Sequence, residues 1–438
     1  MALTHAFGVV HWLSTDTVGT TYTVNLPAGF NLKAIRFYTV GINSATDAES
    51  GGTSAVTNIG FATGTAARRC VGNIDFDNAD FSSCGSAIRN DCVAIHANSD
   101  GNIAAQLDIT TFSSEQFILT VDDDTPASMT VGWDAWGGSD ITVATVIDFA
   151  EPAATGVQSY TVTGFTAAAT DQVVMLAGCN VTAALNTAHD IGSALYVGYC
   201  TGSASANNIV VAGNNEDGAA SSDADGYAQT GECLAMIPAL GGNPNARAIG
   251  SFDTDAFKLD WLERATTGRK SIGLCIKGGQ WAAGSYTIDA SGATNTKTVS
   301  GLAFQPIGIN FLGGGPTAQN TNDTASVGKT FSFGSASSPT SRQTMAMRVA
   351  DNRNFSEVSV GVHYDHALFY LTSAAAIDSE YDLDAITSDG FRVIVDDTPA
   401  IPSSSEWQGY LAFAGPATGG KAFPLRRMGA SFQHMLVR

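Results

Sequence analysis

Ser388-Asp-Gly-Phe-Arg-Val-Ile-Val395, followed after a turn by Trp407-Gln-Gly-Tyr-Leu-Ala-Phe-Ala-Gly415, decides how this chain is built, because the same element occurs twice more upstream. A Phe or Ile, a second Phe five residues on, a β-like run, a variable turn and an apolar strand ending in glycine run from Phe112 and Phe117 to Gly137. They recur from Phe252 and Phe257 to Gly278, and from Ile386 and Phe391 to Gly415. Ahead of each copy lies an apolar segment: Cys92-Val-Ala-Ile95, Cys233-Leu-Ala-Met236 and Ala367-Leu-Phe-Tyr370. Further upstream, Gly60-Phe61, Gly198-Tyr199 and Ser332-Phe333 open short segments that run into small-residue turns. Earlier still come paired strands, Tyr22 to Leu26 with Ala34 to Val40, Tyr160 to Phe165 with Gln172 to Ala177, and Lys297 to Leu302 with Ile307 to Leu312. A shared turn, Val121-Asp-Asp-Asp-Thr-Pro-Ala127 and Val395-Asp-Asp-Thr-Pro-Ala400, sits at matching places in the first and third copies. Landmarks recurring in one order every ~140 residues point to duplication.

The segments are short, rich in Val, Ile, Thr, Phe and Tyr, and bounded by Gly, Ser, Asn and Asp, which makes them strands. Tyr22-Thr-Val-Asn-Leu26 alternates, as a strand does when one face is buried. The expected fold is all-β, with three tandem β-sandwich modules of jelly-roll type. The expected boundaries are 1–150, 151–283 and 284–417, followed by a basic arm over 418–438. Glu151-Pro-Ala-Ala-Thr-Gly156 separates the first two copies in this reading, and Gly278-Gly279 with Ala282-Ala-Gly284 the last two. Such short joints imply a compact or gently curved three-lobed body. The segment expected to hold a short helix is Ser86 to Ala97.

With 44% apolar and 14% charged residues, the composition is that of ordered globular protein. A net charge of −20 argues against nucleic acid as a partner, because phosphate contacts need a basic surface. No apolar run is long enough to span a bilayer, and Met1 to Val10 has neither a basic n-region nor a cleavage site, so neither membrane insertion nor secretion is expected. The arm carries Lys421, Arg426, Arg427 and Arg438 and no acid. It is expected either to fold back on its own acidic domain or to reach an acidic patch on a neighbouring copy.

Common zinc, hydrolase and dinucleotide signatures are absent. Ser326-Val-Gly-Lys-Thr330 ends like a phosphate-binding loop, but Asp323 replaces the first glycine and Phe331-Ser-Phe333 continues as a strand where the anion-binding helix should begin. His363-Tyr-Asp-His366 is the closest histidine pair. On a strand the two rings would point to opposite faces, so they converge only from a loop. The acidic groups Asp122, Asp123 and Asp124, and Asn214, Glu216, Asp217, Asp223 and Asp225, offer oxygen ligands for calcium but lack EF-hand spacing. They are read as solvated turn residues. No catalytic, cofactor-binding or metal-binding residue is assigned, and the chain is read as a non-enzyme.

Trp133, Trp136 and Trp407 lie in closing strands and are expected in the core. Trp12, Trp261 and Trp281 have no counterpart in the other copies and are candidates for a partner surface. The seven cysteines are odd in number and absent from the third copy, so they are not a shared disulfide framework and are expected to be mostly buried thiols. Cys84 with Cys92, and Cys179 with Cys200, are the pairings weighed.

The closing element Ser388 to Gly415 and the opening Thr298-Val-Ser-Gly-Leu-Ala-Phe-Gln-Pro306 resemble tandem β-sandwich modules of tailed-bacteriophage virion proteins. The second copy departs most, with Ala256 in place of the glycine and Leu274-Cys-Ile276 in its last strand. The resemblance implies a virion component assembled in the host cytoplasm: a capsid decoration or cement protein, or a head-fibre, tail-tip or tail-fibre module. Its expected partners are the major capsid protein or tail proteins and copies of itself. The alternative is a receptor- or carbohydrate-binding adhesin gripping host glycan.

Overall fold

In the computed structural model the described residues are 3–52, 54–77, 83–97, 102–167, 170–186, 189–202, 204–216, 218, 223–238, 243–265, 267–288, 296–315, 321–323, 328–351, 357–372, 376–395 and 405–415. Their regular structure is all strand, apart from a single 3-10 turn at Ser205–Asn207. No helix among them is long and apolar enough to cross a membrane. The arm over 418–438 lies outside the described residues, as do Asp217 and the Asp396 to Ala400 half of the shared turn.

The strands make six antiparallel sheets, three of seven strands and three of four, and each long sheet packs on one short sheet. In the first pair the long sheet runs Thr4–Trp12, Met129–Gly137, Leu32–Thr39, Ala55–Ala62, Arg68–Asp75 and Cys84–Arg89. Its short partner runs Thr21–Asn25, Gln116–Asp123, Ile103–Phe112 and Ala94–Ala97. The second long sheet runs Val143–Ala150, Lys270–Lys277, Gln172–Cys179, Leu195–Cys200, Asn208–Asn215 and Ala224–Thr230. The third runs Gln280–Ile288, Glu406–Ala414, Gly308–Gly314, Lys329–Ser338, Ser341–Val349 and Val358–His363. Their short partners repeat the order of the first: Gly156–Thr161, Ala256–Glu263, Ala246–Asp253 and Leu234–Met236, then Thr296–Val299, Gly390–Val395, Ile377–Thr387 and Leu368–Leu371.

The repeated phenylalanines occupy matching places in these sheets. Phe117 faces Val24 and Phe112 across its two neighbouring strands, Phe257 faces Tyr160 and Phe252, and Phe391 faces Val299 and Ile386. All three are fully buried between a long and a short sheet. A second shared feature is a close backbone approach. A Cβ on Gly60, Gly198 or Gly334 would lie 2.0, 2.0 or 1.8 Å from the carbonyl oxygen of Val93, Cys233 or Ala367. Only glycine lets the segment entering the short sheet cross the long one at that distance. The register therefore matches Val93, not Cys92, to Cys233, and Gly334, not Ser332, to Gly60.

Sheet membership moves the joints. Val143–Ala150 pairs with Lys270–Lys277, so it belongs to the second pair, and Gln280–Ile288 pairs with Glu406–Ala414 in the third. The breaks fall ahead of Val143 and of Gln280, not at 150/151 and 283/284. Glu151 to Gly156 instead carries the chain from the second long sheet to its own short sheet. The segment expected to be helical is the strand Cys84–Arg89, a turn, and the strand Ala94–Ala97. Its alternating small and apolar residues satisfy a long-sheet edge and a short-sheet edge.

The seventh strand of each long sheet comes from another pair. His189–Ile191 joins Cys84–Arg89 in the first, Thr321–Asp323 joins Ala224–Thr230 in the second, and Ala48–Gly51 joins Val358–His363 in the third. Second gives to first, third to second and first to third, so the exchange closes into a ring that is threefold in its connectivity. Each long sheet is consequently buried on both faces. Ile35 and Phe37 face the short sheet while Ala34 and Tyr38 face the centre. In the second pair Val174 and Leu176 face the short sheet and Val173, Met175 and Ala177 the centre. The central core collects side chains from all three long sheets, among them Phe61, Met175, Val211, Phe333, Met345 and Trp407.

Candidate functional site

Among the described residues, three clusters of buried polar groups lie at joints of the ring. At the centre, Asp134 accepts hydrogen bonds from Arg36 Nε (3.1 Å) and Nη2 (2.6 Å), His5 Nε2 (3.1 Å), Asn310 Nδ2 (2.9 Å) and Ser335 Oγ (2.7 Å). Arg36 Nη1 donates to Tyr199 Oη at 2.5 Å, so residues of all three pairs converge on one ion pair. Burial works to raise the Asp134 carboxyl, but Arg36 and the donated hydrogen bonds outweigh it and hold the pKa below the usual value. Burial lowers the His5 pKa, which keeps the ring neutral. At a second node, fully buried Lys329 donates from Nζ to Asp75 Oδ2 (2.8 Å), to the Ser193 carbonyl (3.1 Å) and to Ser193 Oγ. Asn215 Nδ2 donates to the other oxygen of Asp75 at 3.0 Å. The lysine of the phosphate-loop-like segment is thus a strand residue tied to an aspartate of the first pair, not an anion ligand.

A third cluster lies where Ala48–Gly51 docks on Val358–His363. The strand ends at His363, and the turn through Tyr364 and Asp365 brings His366 back until the two ring centroids are 5.2 Å apart. Glu380 and Asp382 sit two residues apart on Ile377–Thr387 and so share one strand face, turned to the histidines. Glu380 Oε1 lies 3.2 Å from His366 Nε2 and 3.4 Å from His363 Nδ1. The remaining nitrogens meet other carboxylates: His366 Nδ1 donates to Asp382 Oδ1 at 3.0 Å, and His363 Nε2 donates to Glu49, from the first pair. Arg342 Nη1 holds Asp382 at 2.7 Å. Asp365 Oδ1 stands 3.3 Å from His366 Nε2. Burial alone would lower the His366 pKa, yet the hydrogen bond to Asp382 and the fields of Glu380, Asp365 and Asp382 raise it. Tyr364 ties the same turn to the first pair, donating from its amide to Asp47 Oδ1 at 2.7 Å and from its hydroxyl to the Ser44 carbonyl at 2.5 Å.

Other residues singled out in the sequence go elsewhere. Trp12, Trp261 and Trp281, expected on a partner surface, are buried like Trp133, Trp136 and Trp407. Trp12 and Trp261 fill sandwich cores and Trp281 the central core, where its Nε1 donates to the Gly278 carbonyl at 2.7 Å. Asp122, Asp123 and Asp124 are exposed, whereas Asn214 and Asp225 are opposed on neighbouring strands and buried, not loop residues. All seven cysteines are buried thiols. Cys92 faces Cys70, with Sγ to Sγ 3.4 Å, and Cys84 donates to the Asn215 carbonyl. Cys179 and Cys200 lie on paired strands but at opposite ends of the ladder. No protein-family model matches the chain, and no curated protein is significantly similar to it.

Proposed function

We propose that the chain is a structural component of a tailed-phage virion, most specifically a capsid decoration protein that braces the shell through contacts with the major capsid protein. The observation that carries this reading is the closed exchange of strands. Three similar sheet pairs, each completed by another, form one body that offers related surfaces in a threefold arrangement from a single polypeptide. Shells are built on symmetric lattices, and a body of this kind engages several equivalent surfaces at once, so that weak individual contacts add to firm binding. Closure also suits a brace: load on one lobe passes through shared sheets and a common core to the other two. The acidic composition and the resemblance of the closing element to virion modules agree with it. The tail-fibre or glycan-binding alternative draws less support, because every tryptophan that could have formed a sugar-stacking platform is in a core. Quantitative mass spectrometry of purified particles tests the proposal. Copy numbers comparable with the major capsid protein are expected, and a handful of copies per particle would remove the bracing role.

A further inference from the structure

We infer that His363, His366 and Glu380 form a binding site for a divalent transition ion of the zinc class, placed where the strand Ala48–Gly51 closes the ring. The inference is independent of the virion reading.

Two imidazoles and a carboxylate are the donor set of three-ligand zinc centres that leave a fourth position for another ligand. Metal bonds of about 2.0 Å to tetrahedral ligands put the donor atoms about 3.3 Å apart. Glu380 Oε1 stands 3.4 Å from His363 Nδ1 and 3.2 Å from His366 Nε2, and Asp365 Oδ1 stands 3.3 Å from His366 Nε2. The two Glu380 separations are edge lengths of such a tetrahedron, and the donor atoms of His363, His366 and Glu380 all lie within 4.8 Å of one another; Asp365 approaches His366 but stands outside that group, so the fourth corner is open to another ligand. His363 Nδ1 is buried and makes no hydrogen bond, a cost that a metal bond would relieve. His363, His366 and Glu380 are all buried, so their donor atoms are held in place by the surrounding sheets.

The outer contacts fit a metal site as well. A ligating histidine characteristically donates its second nitrogen to a carboxylate, which fixes the tautomer and turns the ring. Both rings do so here, His366 to Asp382 and His363 to Glu49, and Asp382 is itself held by Arg342. Glu49 and Asp382 are therefore positioning residues. Because Glu49 arrives on a strand from the first pair, its docking and the orientation of His363 are coupled, and an ion that favours the ordered site also favours the closed ring. Two imidazole nitrogens select an ion of the zinc class over calcium or magnesium.

The test uses the full chain, stripped with a chelator and titrated first with Co2+ and then with Zn2+. Expected are the intense visible absorption of four-coordinate Co2+ saturating at about one equivalent, its displacement by Zn2+, and a rise in thermal midpoint with Zn2+. The H363A/H366A double variant should lose the absorption, and E49Q and D382N should bind about 10- to 100-fold more weakly while staying folded by circular dichroism. A folded wild-type chain that gives no four-coordinate Co2+ spectrum overturns the inference. So does a spectrum that survives loss of both histidines.

Discussion

Replacing Lys329 by methionine removes a buried cation whose ammonium serves Asp75 and Ser193, and leaves Asp75 as an anion sealed among three sheets. Removing one partner of a buried pair costs about 3–5 kcal/mol, because the remaining charge is stranded. Asp75 keeps donors from Asn215 at 3.0 Å and Ser193 at 3.1 Å, which places the expected loss at the lower end, about 3 kcal/mol. How that loss reads in a thermal scan depends on how much of the chain unfolds together. Unfolding entropy is about 2.1 cal/mol/K per residue, so a transition involving all 438 residues would shift by only about 3 °C. A third of the chain melting alone would shift by roughly 10 °C. The closed ring predicts the smaller shift in one cooperative transition, with the free energy itself read from urea unfolding followed by circular dichroism. The double variant D75N/K329M should recover most of the loss, since the stranded charge is gone. If K329M is as stable as wild type, or D75N brings no recovery, the node does not tie the lobes together as argued.

Two further predictions concern the sandwiches. Glu406 is buried beneath Ser379 and Tyr381, and burial raises its pKa to about 8 although both hydroxyls, which donate to it, work to lower it. The folded chain therefore holds a proton that the unfolded chain releases near 4.5, and stability should fall as pH rises from there to about 8 and then level off. E406Q should flatten that stretch of a urea-midpoint-against-pH profile and exceed wild type above pH 8; an unchanged profile would contradict the assignment. Gly60→Ala, Gly198→Ala and Gly334→Ala each drive a methyl against a carbonyl oxygen and should cost about 2 kcal/mol or more in urea unfolding. A neutral result at any one would show that the three crossings are not equivalent.

The pattern Phe112, Phe117 to Gly137 and its two echoes was legible because it obeys local rules: alternation on the short sheets and glycine at the crossings. The ring was not legible, although one signal pointed to it. Val173-Val-Met-Leu-Ala177 is apolar at successive positions, and an antiparallel strand that faces water on one side does not look like that. Read as burial on both faces, it would have called for a partner beyond the sandwich. The exchanged strands give no such signal. Ala48-Glu-Ser-Gly51 lacks β-branched and aromatic residues, and it becomes a strand only because the edge at Val358–His363 is there to receive it. For the same reason the histidine pair could be judged only conditionally: His363 and His366 meet across a turn, and Glu49 reaches His363 from more than three hundred positions away.

The buried nodes bear on why the three pairs share one polypeptide. In a trimer of identical chains every contact across a joint occurs three times, so a node placed at the centre must be made of symmetry copies. Here the central node takes Arg36 and Asp134 from the first pair, Tyr199 from the second and Asn310 and Ser335 from the third. The second takes Asp75 from the first, Ser193 and Asn215 from the second and Lys329 from the third. Among the described residues each occurs once, and each is satisfied only when a particular pair occupies a particular place. The apolar centre would tolerate other arrangements of three similar sheets, whereas a wrong one would leave Asp75 buried without its cation, at several kcal/mol, and would strip the Arg36–Asp134 pair of its hydrogen bonds to Tyr199, Asn310 and Ser335. The fold is thus held together by what the three sheet pairs have in common, and its cyclic order by the residues in which they differ.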